Sequence, residues 1–504
     1  MNERTYSAPS GIPALIVIVA LLLSNAAFGA VIFPKVTNTN NTGTGSLRAA
    51  ITAANNNGAD GAIIEFQIGS SCGPHVIHLD TALPDITAET HIEGYTQPGA
   101  SKNTIGHYSG NNAVICIVLA GDNLVDDGLT VPASVADKLE MSVQGVAFSG
   151  FTHSAVNLRG GSNHGVAGIR TGGTMGGVVL ETNSYGVILA PGVHDSTIGG
   201  ADNGDVDQFG DITHNAVYIA SGTASSAAAF KNTIENVNVG FVYDASQLRV
   251  KLPTTGAAIA IGGYSNVIEQ VDLENAGVSG LHISNLDAHD NVIFLSESSN
   301  NTGDGILIDD DAHQNNISEV DMFNNGGAGV RVVTGQGNDI EFNLMSGNAG
   351  LGIDLATEGV TPNDNDSMPP TADYANRGQN FPTLTAAKGG HYSGTVSGTL
   401  TSTPGIYQIS IYEAQPCDAS GYGEGFNELD YRSGSGLVTV PNLTAQGQGS
   451  VSFSLPVSFF FYFPGSLSLS ATATDANGNT SEFSACIPYV DDTIFFDNFE
   501  APLT

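Results

Sequence analysis

The sequence predicts an all-β fold: a right-handed parallel β-helix with a helical cap at its N-terminal end, followed by an antiparallel β-sandwich. Three observations carry this. A glycine followed by alternating residues recurs as Gly280-Leu281-His282-Ile283, Gly305-Ile306-Leu307-Ile308, Gly329-Val330-Arg331-Val332 and Gly352-Ile353-Asp354-Leu355, at steps of 25, 24 and 23 residues. Asn266, Asn291, Asn315 and Asn338 keep the same steps, and Asn275, Asn301, Asn325 and Asn348 each precede a glycine-containing turn. Within each copy the apolar residues fall at alternate positions, which makes them strands with one face turned inward. Asn and Gly accept the left-handed backbone of a sharp corner, and Asn amides in successive coils can stack into a ladder. The handedness follows from the general preference of parallel crossovers.

Taken in order, residues 1–29 look like a secretory signal peptide. Arg4 precedes an uncharged run from Ile12 to Leu23 that is too short to span a bilayer, and small residues follow at Ala26, Ala27, Gly29 and Ala30. Residues 30–110 are expected to hold the cap and first coils. Ser46 can cap a helix whose Leu47, Ala50, Ile51 and Ala54 share one face, and a solenoid needs such a lid over its open end. Residues 111–360 form the β-helix. Before residue 262 the glycine or alanine landmarks at Gly186, Ala216 and Ala258 are spaced by 30 and 42, so turns there carry extensions, and 199–210 and 242–255 are candidate binding loops. Residues 361–382, with Pro362, Pro369 and Pro370, read as a linker or a cover for the last coil. Residues 383–490 alternate as half-buried strands of a sandwich of about seven strands. The tail 491–504 contains Ile494-Phe495-Phe496-Asp497-Asn498-Phe499-Glu500, either a sorting or attachment signal or a packed terminal strand.

Ser46-Leu47-Arg48 through Asn55, Leu83-Pro84-Asp85-Ile86-Thr87 and Ile92-Glu93-Gly94-Tyr95-Thr96-Gln97-Pro98-Gly99 resemble the N-terminal region of bacterial secreted parallel β-helix proteins with a C-S-L-R-E-A motif. Gly45 and Ala49 stand where that motif has Cys and Glu. The tracts Gln379-Asn380-Phe381-Pro382, Gly421-Tyr422-Gly423-Glu424 and Ala471 to Ser484 are similar to the same family, which implies the architecture for nearly the whole mature chain and no particular reaction.

Charge narrows the partners. Fourteen Lys and Arg against 50 Asp and Glu give a net charge of −36, which repels nucleic acid and anionic membranes. No later segment reads as membrane-spanning, and a monomer is expected. Export makes the four cysteines interpretable: Cys72 with Cys116 and Cys417 with Cys486 is the simplest of the three connectivities.

The chemistry the chain can carry is less defined. Asp304, Asp309, Asp310 and Asp311 superficially offer the paired carboxylates that glycoside cleavage needs, but a solvated acidic turn explains them better, and no basic cluster to grip uronates accompanies them. Asp287 and His289 repeat as Asp311 and His313, so their side chains should stack about 4.8 Å apart in adjacent coils. Oxygen-rich turns at Asp202, Asp205 and Asp207, or at Asn363, Asp364 and Asp366, suit calcium, with plain Asx-turns as the alternative. An outward stripe of Asp272, Ser296, Asp321 and Asn343 suits solvent or carbohydrate. The expected function is therefore a secreted or surface-displayed scaffold that binds an extracellular glycan or protein. The alternative is a polysaccharide-degrading hydrolase or lyase using carboxylates on the β-helix.

Overall fold

The computed structural model describes residues 30–58, 61–356, 358–364, 374–414, 417–429, 436–440, 449–459 and 467–492. The expected leader, the tail motif from Ile494 onward and Asp366 lie outside them.

The chain is a right-handed β-helix. One face is a nine-stranded parallel sheet whose strands stack in chain order from Asp127–Val131 through Ser154–Leu158, Tyr185–Leu189 and Val217–Ile219 to Ile353–Leu355. Register is strict: Leu281 lies on Ile306, Ile306 on Val330, and Val330 on Ile353. Ile283, Ile308, Val332 and Leu355 are buried above one another in a single aliphatic core. A second, 17-stranded sheet supplies the remaining faces.

Those faces are made by bending one strand. Val267–Glu274, Val292–Ser299 and Asn316–Phe323 each contain one residue of positive φ, namely Gln270, Leu295 and Glu319 at 51°, 49° and 53°. The bend resets the inward alternation: Ile293 points inward before it and Ser296 and Ser298 after it. Each coil therefore turns through three faces. At the next corner an asparagine ladder holds the stack, with Asn266 Nδ2 donating to Asn291 Oδ1 at 3.0 Å, Asn291 to Asn315 at 2.9 Å and Asn315 to Asn338 at 3.0 Å. A second ladder joins Asn301, Asn325 and Asn348. Asn275 does not belong to it: Ala276 occupies the ladder position, and Asn275 is the left-handed corner residue equivalent to Asn300 and Asn324.

The ends are closed in different ways. The helix Leu47–Asn57, capped by Ser46, buries Leu47, Ala50, Ile51 and Ala54 over the first coil. Arg48 fastens this lid through bonds to the carbonyls of Asn41, Thr81 and Ala82. Gly45 is required here, because at φ +77° a Cβ would fall 2.3 Å from Thr37 Oγ1. At the other end the last coil has no strand beyond it, and side chains from the C-terminal part take its N–H groups. Asn479 accepts from Gly337, Thr480 from Ile340, Glu428 from Phe342, Glu424 from Asn348 and Glu482 from Leu355, all within 3.0 Å. Asn376 Oδ1 accepts from Asn338 N–H and so adds a rung to the ladder.

From Thr383 onward two sheets, of four and five strands among the described residues, face each other over Val396, Leu400, Tyr407, Phe453, Leu469 and Ala471; they are antiparallel except where Thr383–Gly389 pairs in parallel with Val490–Asp491. Disulfides join Cys72 to Cys116 and Cys417 to Cys486. No helix among the described residues is long and apolar enough to cross a membrane.

Candidate functional site

The bent strands build a cleft. After the bend, the outward positions on successive coils align as Asn238, Asp272, Glu297, Asp321 and Leu344. This corrects the expected stripe: Ser296 and Asn343 point inward and are buried, and Glu297 and Leu344 take their places. Beside this row stand the corner residues Leu295, Glu319 and Phe342, whose φ values of 49°, 53° and 58° are sterically costly for L-residues with long side chains. The equivalent corner two coils earlier is Asn236, which tolerates that backbone well. Glu297, Asp321, Leu344 and the corner residues Leu295, Glu319 and Phe342 line a cavity of about 780 Å³, with Asn427 and Glu428 of the C-terminal sheets forming its far wall.

Two insertions roof the near end. Tyr108 Oη donates to the Leu295 carbonyl at 3.1 Å, and Gln247 Oε1 accepts from Asn111 N–H at 2.8 Å, which ties the segment around residue 108 to the hairpin Phe241–Tyr243 and Arg249–Lys251. Arg249 lies over the Phe241 ring at 4.3 Å and pairs with Asp272 at 2.7 Å and with Glu274.

The cleft is an electrostatic sink. Burial lifts the carboxyl of Asp272 above its ordinary range against the pull of Arg249, with Glu297 and Glu274 adding to the rise. Asp321 is raised by burial and by Glu297. The Tyr108 phenol is pushed up to about 12, first by burial and then by Asp272, Glu297 and Asp321. His107, next to it, is lowered to about 4 by burial and by Arg249, and is a neutral imidazole.

Of the residues singled out in the sequence, Asp272 and Asp321 stand in this row, and the catalytic and calcium candidates lie elsewhere. Asp304 is buried and accepts Ala328 N–H at 2.7 Å, a structural task. Asp309 receives His282 at 2.9 Å; burial raises its carboxyl, but the His282 and Ser284 bonds outweigh that and hold it low. Asp310 accepts from Ser284, and Asp311 is an exposed corner residue of positive φ. Asp202 is exposed, Asp205 pairs with Lys102 at 3.6 Å, and Asp207 is fully buried with Oδ1 accepting Ile169 N–H. Asn363 bonds the Phe381 backbone and Asp364 N–H donates to Asn380. His289 and His313 do stack, at 5.1 Å, and Tyr264, Phe230 and His194 extend the column by three rings. Asp287 is turned to Gly222 N–H instead.

Residues 250–367 match the family described as right handed beta helix region. No curated protein matches the chain. Among solved structures, the A-module of mannuronan C-5 epimerase AlgE6 from Azotobacter vinelandii is 13% identical over 68% of this chain and 83% of its own, with a TM-score of 0.40. ORF18 of Geobacillus virus E2 is 13% identical over 94% of this chain and 79% of its own, at 0.46. The tailspike protein of E. coli bacteriophage HK620, solved in complex with pentasaccharide, is 12% identical over 82% of this chain and 88% of its own, at 0.24.

Proposed function

We propose that this exported β-helix protein binds an extracellular glycan in the cleft beneath Tyr108. The observation that carries the reading is the set of corner residues Leu295, Glu319 and Phe342, which hold a left-handed backbone where Asn or Gly would be easier and line the cleft with their side chains. Two of them are apolar and stand beside a row of carboxylates. That combination suits a sugar chain, whose rings offer C–H faces and whose hydroxyls donate to carboxylate oxygens. Successive coils rise by about 4.8 Å, close to the repeat of a hexose chain, so three coils accommodate about three sugar units.

Charge selects the class of glycan. Glu297, Glu319, Asp321 and Glu428 line the cavity against one Arg249, so uronate and sulfated polymers are repelled and neutral or amino-sugar polymers are favoured. The test is a binding panel of neutral, amino-sugar and polyuronate chains with the purified mature protein. Binding to the first two classes that weakens in Asp321→Asn is expected; binding confined to polyuronates sinks the reading.

One observation favours a hydrolytic version of the same site. Glu297 and Asp321 are register partners on adjacent strands, and Asp321 is raised by burial and by Glu297, so one carboxyl can hold a proton while the other is ionised. New reducing ends that disappear in Glu297→Gln would establish it, and an unchanged polymer after prolonged incubation would dismiss it.

A further inference from the structure

The roofed end of the cleft contains polar atoms that the protein itself does not satisfy. Asp272 is 0% exposed, and its Oδ1 has no hydrogen-bond partner among the described residues, since Arg249 takes Oδ2. Asn238, its register partner on the preceding coil, is also 0% exposed, and both its amide oxygen and its amide nitrogen lack partners among the described residues. Buried polar groups are almost always paired, so two adjacent unpaired ones on the same face of a sheet point to a ligand that pairs them.

The neighbouring charges say which kind. Asp272, Glu274 and Glu297 each bring an oxygen within 4.8 Å of the other two. Three carboxyl groups crowd there against one guanidinium, and a bound cation offsets their mutual repulsion. We propose that Asp272, Glu274, Glu297 and Asn238 bind one divalent cation of the calcium type at the head of the cleft.

The donor set is all oxygen: Asp272 Oδ1, one oxygen from each glutamate and the Asn238 amide oxygen. Such hard donors select calcium, magnesium or manganese over softer metals. Calcium is favoured among them because it tolerates irregular geometry and completes its shell with water, whereas magnesium demands a near-octahedral cage. Arg249 remains in place beside the ion, holding the outer oxygens of Asp272 and Glu274. The site differs from both oxygen-rich turns expected from the sequence, and it needs no glycan to be occupied.

The proposal is tested on the mature protein after treatment with a chelator. Calcium chloride alone is titrated by calorimetry, and Tb3+, a calcium mimic whose luminescence is excited through nearby tyrosine, reports on the position. Tyr108 roofs the site and Tyr243 contacts Arg249, so both can sensitise the ion. One calcium ion per chain is expected, displacing Tb3+ and lost or weakened at least about tenfold in Glu297→Gln. Asn238→Ala removes a neutral donor without altering charge, and a weakening there keeps the test decisive if Glu297→Gln folds poorly. Asp310→Asn, in the turn after the strand Ile306–Asp309 of the nine-stranded sheet, should bind as the parent does. No calcium binding, or binding undiminished by both Glu297→Gln and Asn238→Ala, overturns the proposal.

Discussion

Glu482 Oε1 accepts the Leu355 N–H at 3.0 Å, across 127 positions of sequence, so the last coil of the β-helix ends on a carboxyl group. Glu424 does the same for Gly347 and Asn348. A row of strand N–H groups that would otherwise template another chain is thereby closed.

The carboxyls of this interface make stability depend on pH in an unusual direction. Burial raises Glu482 to about 7, Asp339 to about 7 and Asp354 to about 6, and it raises Glu424 and Glu428 as well. Folding therefore takes up protons. This contribution is complete below the unfolded carboxyl range and is lost as pH rises through about 7. Asp309, held low, works the other way but is one group against several. Tm should be higher at mildly acidic pH than at pH about 8, and a Tm that climbs with pH across this window would contradict the assignment.

Asn291 sits in the middle of its ladder, receiving from Asn266 and donating to Asn315 and to the Gly263 carbonyl. Asn291→Ala leaves the Asn266 amide and the Asn315 oxygen buried and short of partners. Each unsatisfied group costs about 1–3 kcal/mol, so a loss of about 2–4 kcal/mol in urea unfolding is expected. Asn316→Ala, half-exposed at the start of the strand Asn316–Phe323 on the next coil, should cost less than about 1 kcal/mol.

Leu295 is 43% exposed and has φ 49°. Asn accepts that conformation more readily, and a left-handed residue with a branched side chain costs about 1–2 kcal/mol. Leu295→Asn should therefore stabilise the protein by about 1 kcal/mol while weakening glycan binding, because it removes the apolar edge of the cleft. Chemical denaturation and the binding panel check the two halves separately. Destabilisation would mean that the side chain contributes more to packing than its exposure implies.

The solenoid was legible because its marks are local and periodic: Gly and Asn at corners, Ile and Val at alternate positions. The lid was legible for the same reason, since Ser46 and the face of Leu47, Ala50, Ile51 and Ala54 lie within nine residues. The cleft was not. Alternation counted through Gln270, Leu295 or Glu319 runs out of phase, because a left-handed residue turns the strand and restarts the count; unbroken alternation from Ile293 puts Ser296 outward, where Glu297 stands. Tyr108 reaches its partner Leu295 across 187 positions, and Arg249 enters from a hairpin inserted between coils. Neither has a periodic signal. Positive φ at a bulky residue was the physical clue, and sequence gives it only once the corner columns are aligned.

The disulfide between Cys417 and Cys486 encloses Glu424, Glu428 and Glu482, the three carboxyls that take N–H groups of the last coil. Closing a loop of 69 residues restrains the unfolded chain by about 4 kcal/mol in the chain-entropy account, with the realised value depending on strain and residual structure. Replacing both cysteines with serine should therefore lower stability by about 2–4 kcal/mol. The loss should also be local: hydrogen exchange should accelerate first at Gly347, Asn348 and Leu355, whose N–H groups these carboxyls accept, while the Asn266 to Asn315 part of the ladder remains protected. Uniform acceleration along the whole β-helix would show that the C-terminal sheets and the coils unfold as one unit, and that the carboxyl cap is not a separate point of opening.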